Sequence, residues 1–228
     1  MNIVILTGAG ISAESGLGTF RDEGGLWAQH DIQDVATPEA FQRNPDLVHG
    51  FYNARRAHAA KAQPNAAHRA LAKLEKDWRH NVDIVTQNVD DLHERGGSKS
   101  VLHMHGELSG ALCARCGKRW KAPAVMSTGD LCAQCGQPGT RPDIVWFGEM
   151  PYQMDRIAHL LAQCGLFVSI GTSGNVYPAA GFVQQARMLG ARTLELNLES
   201  SAGGSLFEQR RLGPATELIP TWVDELLS

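Results

Sequence analysis

The sequence of 228 residues has no apolar stretch near the roughly 20 residues that a membrane span requires, which excludes a helical membrane protein. It has no excess of charge: 21 Lys and Arg against 24 Asp and Glu leave −3, with no general attraction for nucleic acid or anionic lipid. The first strand reads from Ile3, so no signal or transit peptide is expected before it, and the cytoplasm is the expected compartment. Two motif absences narrow the chemistry. No lysine follows Gly10 in the manner of a Walker loop, which disfavours nucleoside triphosphate hydrolysis. No second strand ending in an acidic residue lies about 20 positions past the first turn, where an ordinary nicotinamide dehydrogenase would need one. That place is taken by the polar, glycine-punctuated Thr19-Phe20-Arg21-Asp22-Glu23-Gly24-Gly25.

What is present begins at residue 2. The run Asn2-Ile3-Val4-Ile5-Leu6-Thr7 leads into Gly8-Ala9-Gly10-Ile11-Ser12-Ala13, a Gly-x-Gly-x-x-Ala turn. Gly8 and Gly10 allow conformations closed to residues with a Cβ, and the helix that follows offers N–H groups and a positive dipole end to a diphosphate. A tight turn with no ligand is the alternative. Apolar runs at 3–7, 82–86, 101–104, 144–147, 166–170 and 193–198 predict buried strands; helical spacing predicts helices over 66–78, 153–163, 179–189 and 221–227. Strands alternating with helices imply an α/β fold, a parallel sheet wrapped on both faces that binds ligands at the carboxyl ends of its strands. Residues 27–60 (helical or irregular) and 110–142 interrupt the pattern and are read together as a smaller lobe. The expectation is a single domain over 1–228, with a larger lobe of 1–26, 61–109 and 143–228.

Cysteine is sparse, and four of the five come in pairs: Cys113-x-x-Cys116 and Cys132-x-x-Cys135, 15 residues apart. This is zinc-ribbon spacing, and four thiolates would close the coordination sphere of one structural Zn2+. Two disulfides are the disfavoured alternative. Cys164, in an apolar segment, reads as a buried core residue.

Polar groups gather at the predicted strand exits. Gln87-Asn88-Val89-Asp90 follows one strand, where its side chains suit either a ligand or the capping of a helix. His103 and His105 alternate along another, the second followed by Gly106. Gly171-Thr172-Ser173 and Asn197-Leu198-Glu199 follow two more.

These motifs, with Arg141-Pro142-Asp143-Ile144-Val145-Trp146-Phe147-Gly148-Glu149, occur together and in an order that resembles the sirtuins, NAD-dependent protein-lysine deacylases, over nearly the whole chain. The resemblance implies an NAD groove between a Rossmann-like lobe and a zinc lobe. It places Gly8, Ala9, Gly10 and Ser12 at the diphosphate, and Phe20 and Arg21 over the reacting ribose. Gln87, Asn88 and Asp90 fall at the nicotinamide and ribose, and Gly171, Thr172, Ser173, Asn197, Glu199 and Ala215 at the remaining ribose and adenine. His105, which the glycine follows, matches the family's base. Asp22 departs from the family, where a small residue usually follows the arginine. The strands around Val145 and Phe147 and around Gly174-Asn175-Val176 resemble those that clamp a substrate peptide.

Within Phe51-Tyr52-Asn53-Ala54-Arg55-Arg56, Tyr52 and Arg55 are three apart and share a helix face. Alone this reads as a surface helix with solvated arginines and a packed tyrosine. With Ala36 upstream it resembles class III sirtuins, in which the pair binds the carboxylate of succinyl- or malonyl-lysine and a small alanine widens the acyl pocket; bacterial members often remove acetyl groups too. The expected partners are acyl-lysine proteins, with no membrane or nucleic acid, and the expected state is a monomer. The rival readings are an NAD-dependent ADP-ribosyltransferase and a non-enzymatic zinc-ribbon binding module.

Overall fold

The computed structural model describes residues 1–18 and 30–228. In β1 (Asn2–Thr7), Ile3 and Ile5 belong to one buried cluster and Val4 and Leu6 to another, so this strand must be covered on both faces. It lies inside a six-stranded, wholly parallel sheet ordered β3 (Val101–His103), β2 (Val82–Thr86), β1, β7 (Cys164–Ile170), β8 (Arg192–Asn197), β9 (Gln209–Leu212). One face packs on α5 (Ala66–Asp77) and α9 (Ala215–Leu227) through Leu71, Leu74, Ile219 and Trp222. The other packs on α7 (Met154–Gln163) and α8 (Phe182–Met188) through Ile157, Leu161, Phe182 and Val183. Strand order runs from β1 to β2 on one side and resumes at β7 on the other. The reversal opens a crevice at the carboxyl ends of β1 and β7.

A second, antiparallel sheet has the order β5 (Arg119–Lys121), β4 (Gly106–Cys113), β6 (Thr140–Ile144). Beside it pack α2 (Ile32–Val35), α3 (Pro38–Arg43) and α4 (Pro45–Lys61); the short α1 (Gly10–Ala13) and α6 (Leu92–Arg95) follow β1 and β2. Local grammar starts these helices. Thr37 and Asn44 each precede a proline at the first helical position, and their side chains accept from Ala40 N and Leu47 N. Asn65 and His68 form a reciprocal capping box on α5. A third cluster, including Val35, Tyr52, Leu108, Ile144 and Trp146, joins the helices to the antiparallel sheet.

Several expected elements differ. The run 144–147 is not a strand of the parallel sheet: Ile144 ends β6, and 145–147 continue as an irregular segment, with Ile144 and Trp146 buried in the third cluster and Phe147 exposed. The helix expected over 179–189 is a 3-10 turn at Ala179–Gly181 followed by α8. The last helix starts at residue 215 and not 221, and Pro220 lies inside it, where its missing N–H forgoes one intrahelical bond. β9 is polar and exposed, so its sequence carries no apolar signal.

Candidate active site

The strand exits converge on one cavity of about 1070 Å³, larger than the usual small-molecule pocket and long enough in its lining to pass from β8 to α4. At its floor the turn after β1 crosses the turn after β7. A Cβ on Gly8 would sit 2.8 Å from Gly171 O, and one on Gly10 would sit 2.7 Å from Gly171 Cα. Neither glycine has a positive φ, so close approach of two backbones, and not the unusual conformation expected from the sequence, is what requires them. The helix that follows is a single turn, Gly10–Ala13.

Ser12 is buried beneath this turn. Its hydroxyl donates to Asp90 Oδ2 (3.3 Å) and accepts from Asn88 Nδ2 (3.1 Å). Asp90 does two jobs, since its Oδ1 also accepts from Leu92 N at the start of α6; burial raises its pKa. Gln87 Nε2 donates to Thr172 Oγ1 (3.0 Å), and Asn197 Nδ2 donates to Thr172 O (2.8 Å), which cross-links three strand exits. Glu199 and Ala215 line the same end of the cavity, with Ala9, Ser173 and Gly171.

The two histidines expected on one strand face part company. β3 ends at His103, whose Nδ1–H donates to Asn88 O (3.1 Å) and whose Nε2–H donates to Glu94 Oε1 (2.8 Å). Burial alone would lower its pKa, but the Glu94 hydrogen bond and charge outweigh that and raise it. His103 therefore braces the backbone behind the cavity. His105 lines the cavity itself, and its Nδ1 lies 3.2 Å from Gln87 O. A carbonyl can only accept, so Nδ1 carries the proton and Nε2 is the basic nitrogen. Burial lowers the pKa of His105, against a smaller opposing effect of the Gln87 carbonyl.

At the other end of the cavity α4 presents Tyr52 and Arg55, near Ala36. The helix is anchored by Arg56, which donates to Leu108 O (2.7 Å), and by Asn53, paired with the backbone of Met126. Tyr52 is only 1% exposed, and burial raises its pKa. The Arg55 guanidinium carbon lies 5.8 Å from the Tyr52 ring centroid, and burial lowers its pKa against the opposing charge of Asp90. Tyr52 is packed, as the surface-helix reading had it, but Arg55 faces the cavity and is not merely solvated. Val145 N donates to His105 O and Phe147 N to Ala36 O, both 2.9 Å, which brings that segment along the cavity wall. Trp146 and Glu149 also line it; the sequence reading gave neither a role, although both lie inside the motif it quoted. Phe20, Arg21 and Asp22 lie outside the described residues.

The four paired cysteines are brought together, every Sγ within 4.8 Å of the others and no disulfide among them. The separations Cys113–Cys135 and Cys116–Cys132 are 3.8 and 3.7 Å. A tetrahedron with metal–sulfur arms of about 2.3 Å has edges of about 3.8 Å, so the set fits one Zn2+. Cys164 is buried elsewhere, as expected. No helix among the described residues is long and apolar enough to cross a membrane.

The family model described as Sir2 family matches residues 8–178. The NAD-dependent protein deacylase of Caulobacter vibrioides is 53% identical, over all of this chain and 98% of that protein. An NAD-dependent protein deacylase of Leishmania major is 56% identical, over 99% of this chain and 95% of that protein. A crystal structure of a Sir2 homologue–NAD complex superposes with a TM-score of 0.91 at 36% identity, covering 100% of this chain and 91% of the other.

Proposed function

The chain belongs to the Sir2 family, and from that membership we propose that it is an NAD-dependent protein-lysine deacylase that removes succinyl and malonyl groups as well as acetyl. The observation that carries this reading is the single cavity shared by the glycine turn, the amide cluster at Gln87–Asp90, His105 and the Tyr52–Arg55 pair. Among the described residues, the proposed larger, parallel-sheet lobe comprises 1–18, 61–109 and 143–228, and the smaller one 30–60 and 110–142.

When bound, NAD would supply a ribose carbon that takes the acyl oxygen as nicotinamide leaves and a ribose hydroxyl to which the acyl group passes; with one water consumed, the products are free lysine, nicotinamide and O-acyl-ADP-ribose. The chain supplies position and a base. Gly8, Ala9 and Gly10 present bare backbone to the diphosphate. Ser12, Gln87, Asn88 and Asp90 bind and orient the nicotinamide and its ribose, and Gly171, Thr172, Ser173, Asn197, Glu199 and Ala215 hold the adenosine end. His105 Nε2, unprotonated near neutral pH, takes a proton from a ribose hydroxyl. Val145 and Phe147 lie along the acyl-lysine stem, while Ala36 leaves room for a longer acyl chain. The Arg55 guanidinium and Tyr52 hydroxyl face its terminal carboxylate. Cys113, Cys116, Cys132 and Cys135 hold a closed, structural Zn2+. The protein acts as a monomer in the cytoplasm on acyl-lysine proteins, without nucleic acid.

The test is incubation with NAD and matched acetyl- and succinyl-lysine peptides, read by peptide mass and nicotinamide release. Loss of both groups is expected. Loss of acetyl alone would remove the acidic-acyl part of the proposal, and loss of neither from zinc-loaded protein would remove all of it.

A further inference from the structure

We propose that Trp146 is a positioning residue that makes the Tyr52 hydroxyl a one-way hydrogen-bond donor, and so restricts the far end of the acyl pocket to groups that end in acceptors. This rests on the acidic-acyl reading of Tyr52 and Arg55 and deepens it.

A tyrosine hydroxyl is ambivalent, with one proton to give and lone pairs to receive. Its neighbours decide which side a ligand meets. Trp146 Nε1 can only donate, and it lies 3.0 Å from Tyr52 Oη. Arg55, whose guanidinium carbon lies 5.8 Å from the Tyr52 ring centroid, can also only donate. The indole bond uses a lone pair of Oη and the guanidinium beside it offers no acceptor, which leaves the proton of Tyr52 to be directed toward whatever enters the cavity that Tyr52, Arg55 and Trp146 all line. A carboxylate is matched by that proton and by the guanidinium together. An acyl chain ending in an ammonium would meet two donors and no acceptor.

Trp146 is held firmly enough to impose this. Its ring is 3% exposed, with the Arg141 guanidinium carbon 3.4 Å from the ring centroid on one side. Its backbone N–H donates to Glu149 Oε2 (2.8 Å), and Glu149 pairs with both terminal nitrogens of Arg141 (2.7 and 2.9 Å). The indole thus cannot turn its N–H away without breaking the clamp formed by Arg141 and Glu149.

Trp146→Phe removes the N–H and keeps an aromatic ring. Where that ring packs too loosely to fold, 3-benzothienylalanine at position 146 keeps the bicyclic shape and replaces N–H with sulfur. Either protein is assayed for KM and kcat with succinyl- and acetyl-lysine peptides, and for succinyl-peptide affinity by calorimetry without NAD. The expected result is a rise of about tenfold in KM and Kd for the succinyl peptide, in KM far more than in kcat, with a much smaller effect on the acetyl peptide. In a Tyr52→Phe background the same change at 146 adds nothing further to the succinyl-to-acetyl ratio. Equal losses with both peptides, or a full effect in the Tyr52→Phe background, would overturn the proposal. If Arg55→Met leaves the ratio unmoved, the acidic-acyl pocket itself is lost, and this role with it. A ratio that responds to Arg55→Met but not to Trp146 sinks the role of Trp146 alone.

Discussion

A histidine serves as general base only while its outward nitrogen lacks a proton, and two features of His105 ensure this. The Gln87 carbonyl fixes the proton on Nδ1, and burial lowers the pKa below the ordinary 6.5. The acid limb of kcat/KM should therefore have its midpoint below pH 6.5, with activity held above it; a midpoint above 7 would point to another base. His105→Ala should lower kcat by about 10² or more while NAD affinity, measured by calorimetry, changes little. Arg55→Met should cut desuccinylation by about a hundredfold and deacetylation far less, since a charged hydrogen bond at a buried carboxylate is lost only for the acidic acyl group. Gly10→Ala tests the floor of the cavity. Its Cβ would press on Gly171 backbone, so a loss of about 1–3 kcal/mol of stability and weaker NAD binding are expected.

Among elements, β6 links the four clustered cysteines to the proposed acyl pocket. Thr140 pairs with Cys113 across the antiparallel sheet, and the next residue, Arg141, is the buried arginine that holds Trp146 and Glu149. Chelating the metal should therefore raise hydrogen exchange over 113–149 and abolish deacylation, although the thiolates touch no substrate, while the far-ultraviolet signal of the parallel sheet persists. Glu149→Gln leaves Arg141 short of its charge partner and should cost about 2 kcal/mol in a urea titration, the pair being only partly exposed. The legibility of elements follows the same physics. β1, β2, β7 and β8 are covered on both faces, and the apolar runs of β1 and β7 announce themselves, while β8 also buries Thr193 and Glu195. β9 sits at the sheet edge as Gln209-Arg210-Arg211-Leu212 and carries no such signal. In the run 144–147 only Ile144 and Trp146 are buried, against α4 and β4, and a short apolar run does not say which layer covers it.

For the whole molecule, the site was more legible than the lobes that frame it. Glycines, amides and histidines at strand exits are costly unless used, so they stand out in sequence. Trp146 meets Tyr52, 94 residues away, and Glu149 meets Arg141 only eight residues back, but neither pairing follows from any local pattern. A buried layer behind the cavity also sets the response of stability to pH. His68 has its pKa lowered to about 4 by burial, and His93 is lowered well below its ordinary value. Between pH 6.5 and 4 the unfolded chain binds protons that the native state refuses at His68, so stability should fall by as much as ~3 kcal/mol over that window as pH drops. His103, raised by Glu94, acts in the opposite sense: its contribution is kept at low pH and lost as pH rises through its native pKa. Urea midpoints at pH 7, 5.5 and 4 check the net fall. The most direct measurement is a mass analysis of the products from one reaction of NAD with a succinyl-lysine peptide. Nicotinamide, unmodified lysine peptide and O-succinyl-ADP-ribose in equal amounts are predicted. ADP-ribose attached to the peptide, or free ADP-ribose with the succinyl group still on lysine, would contradict acyl transfer at this site.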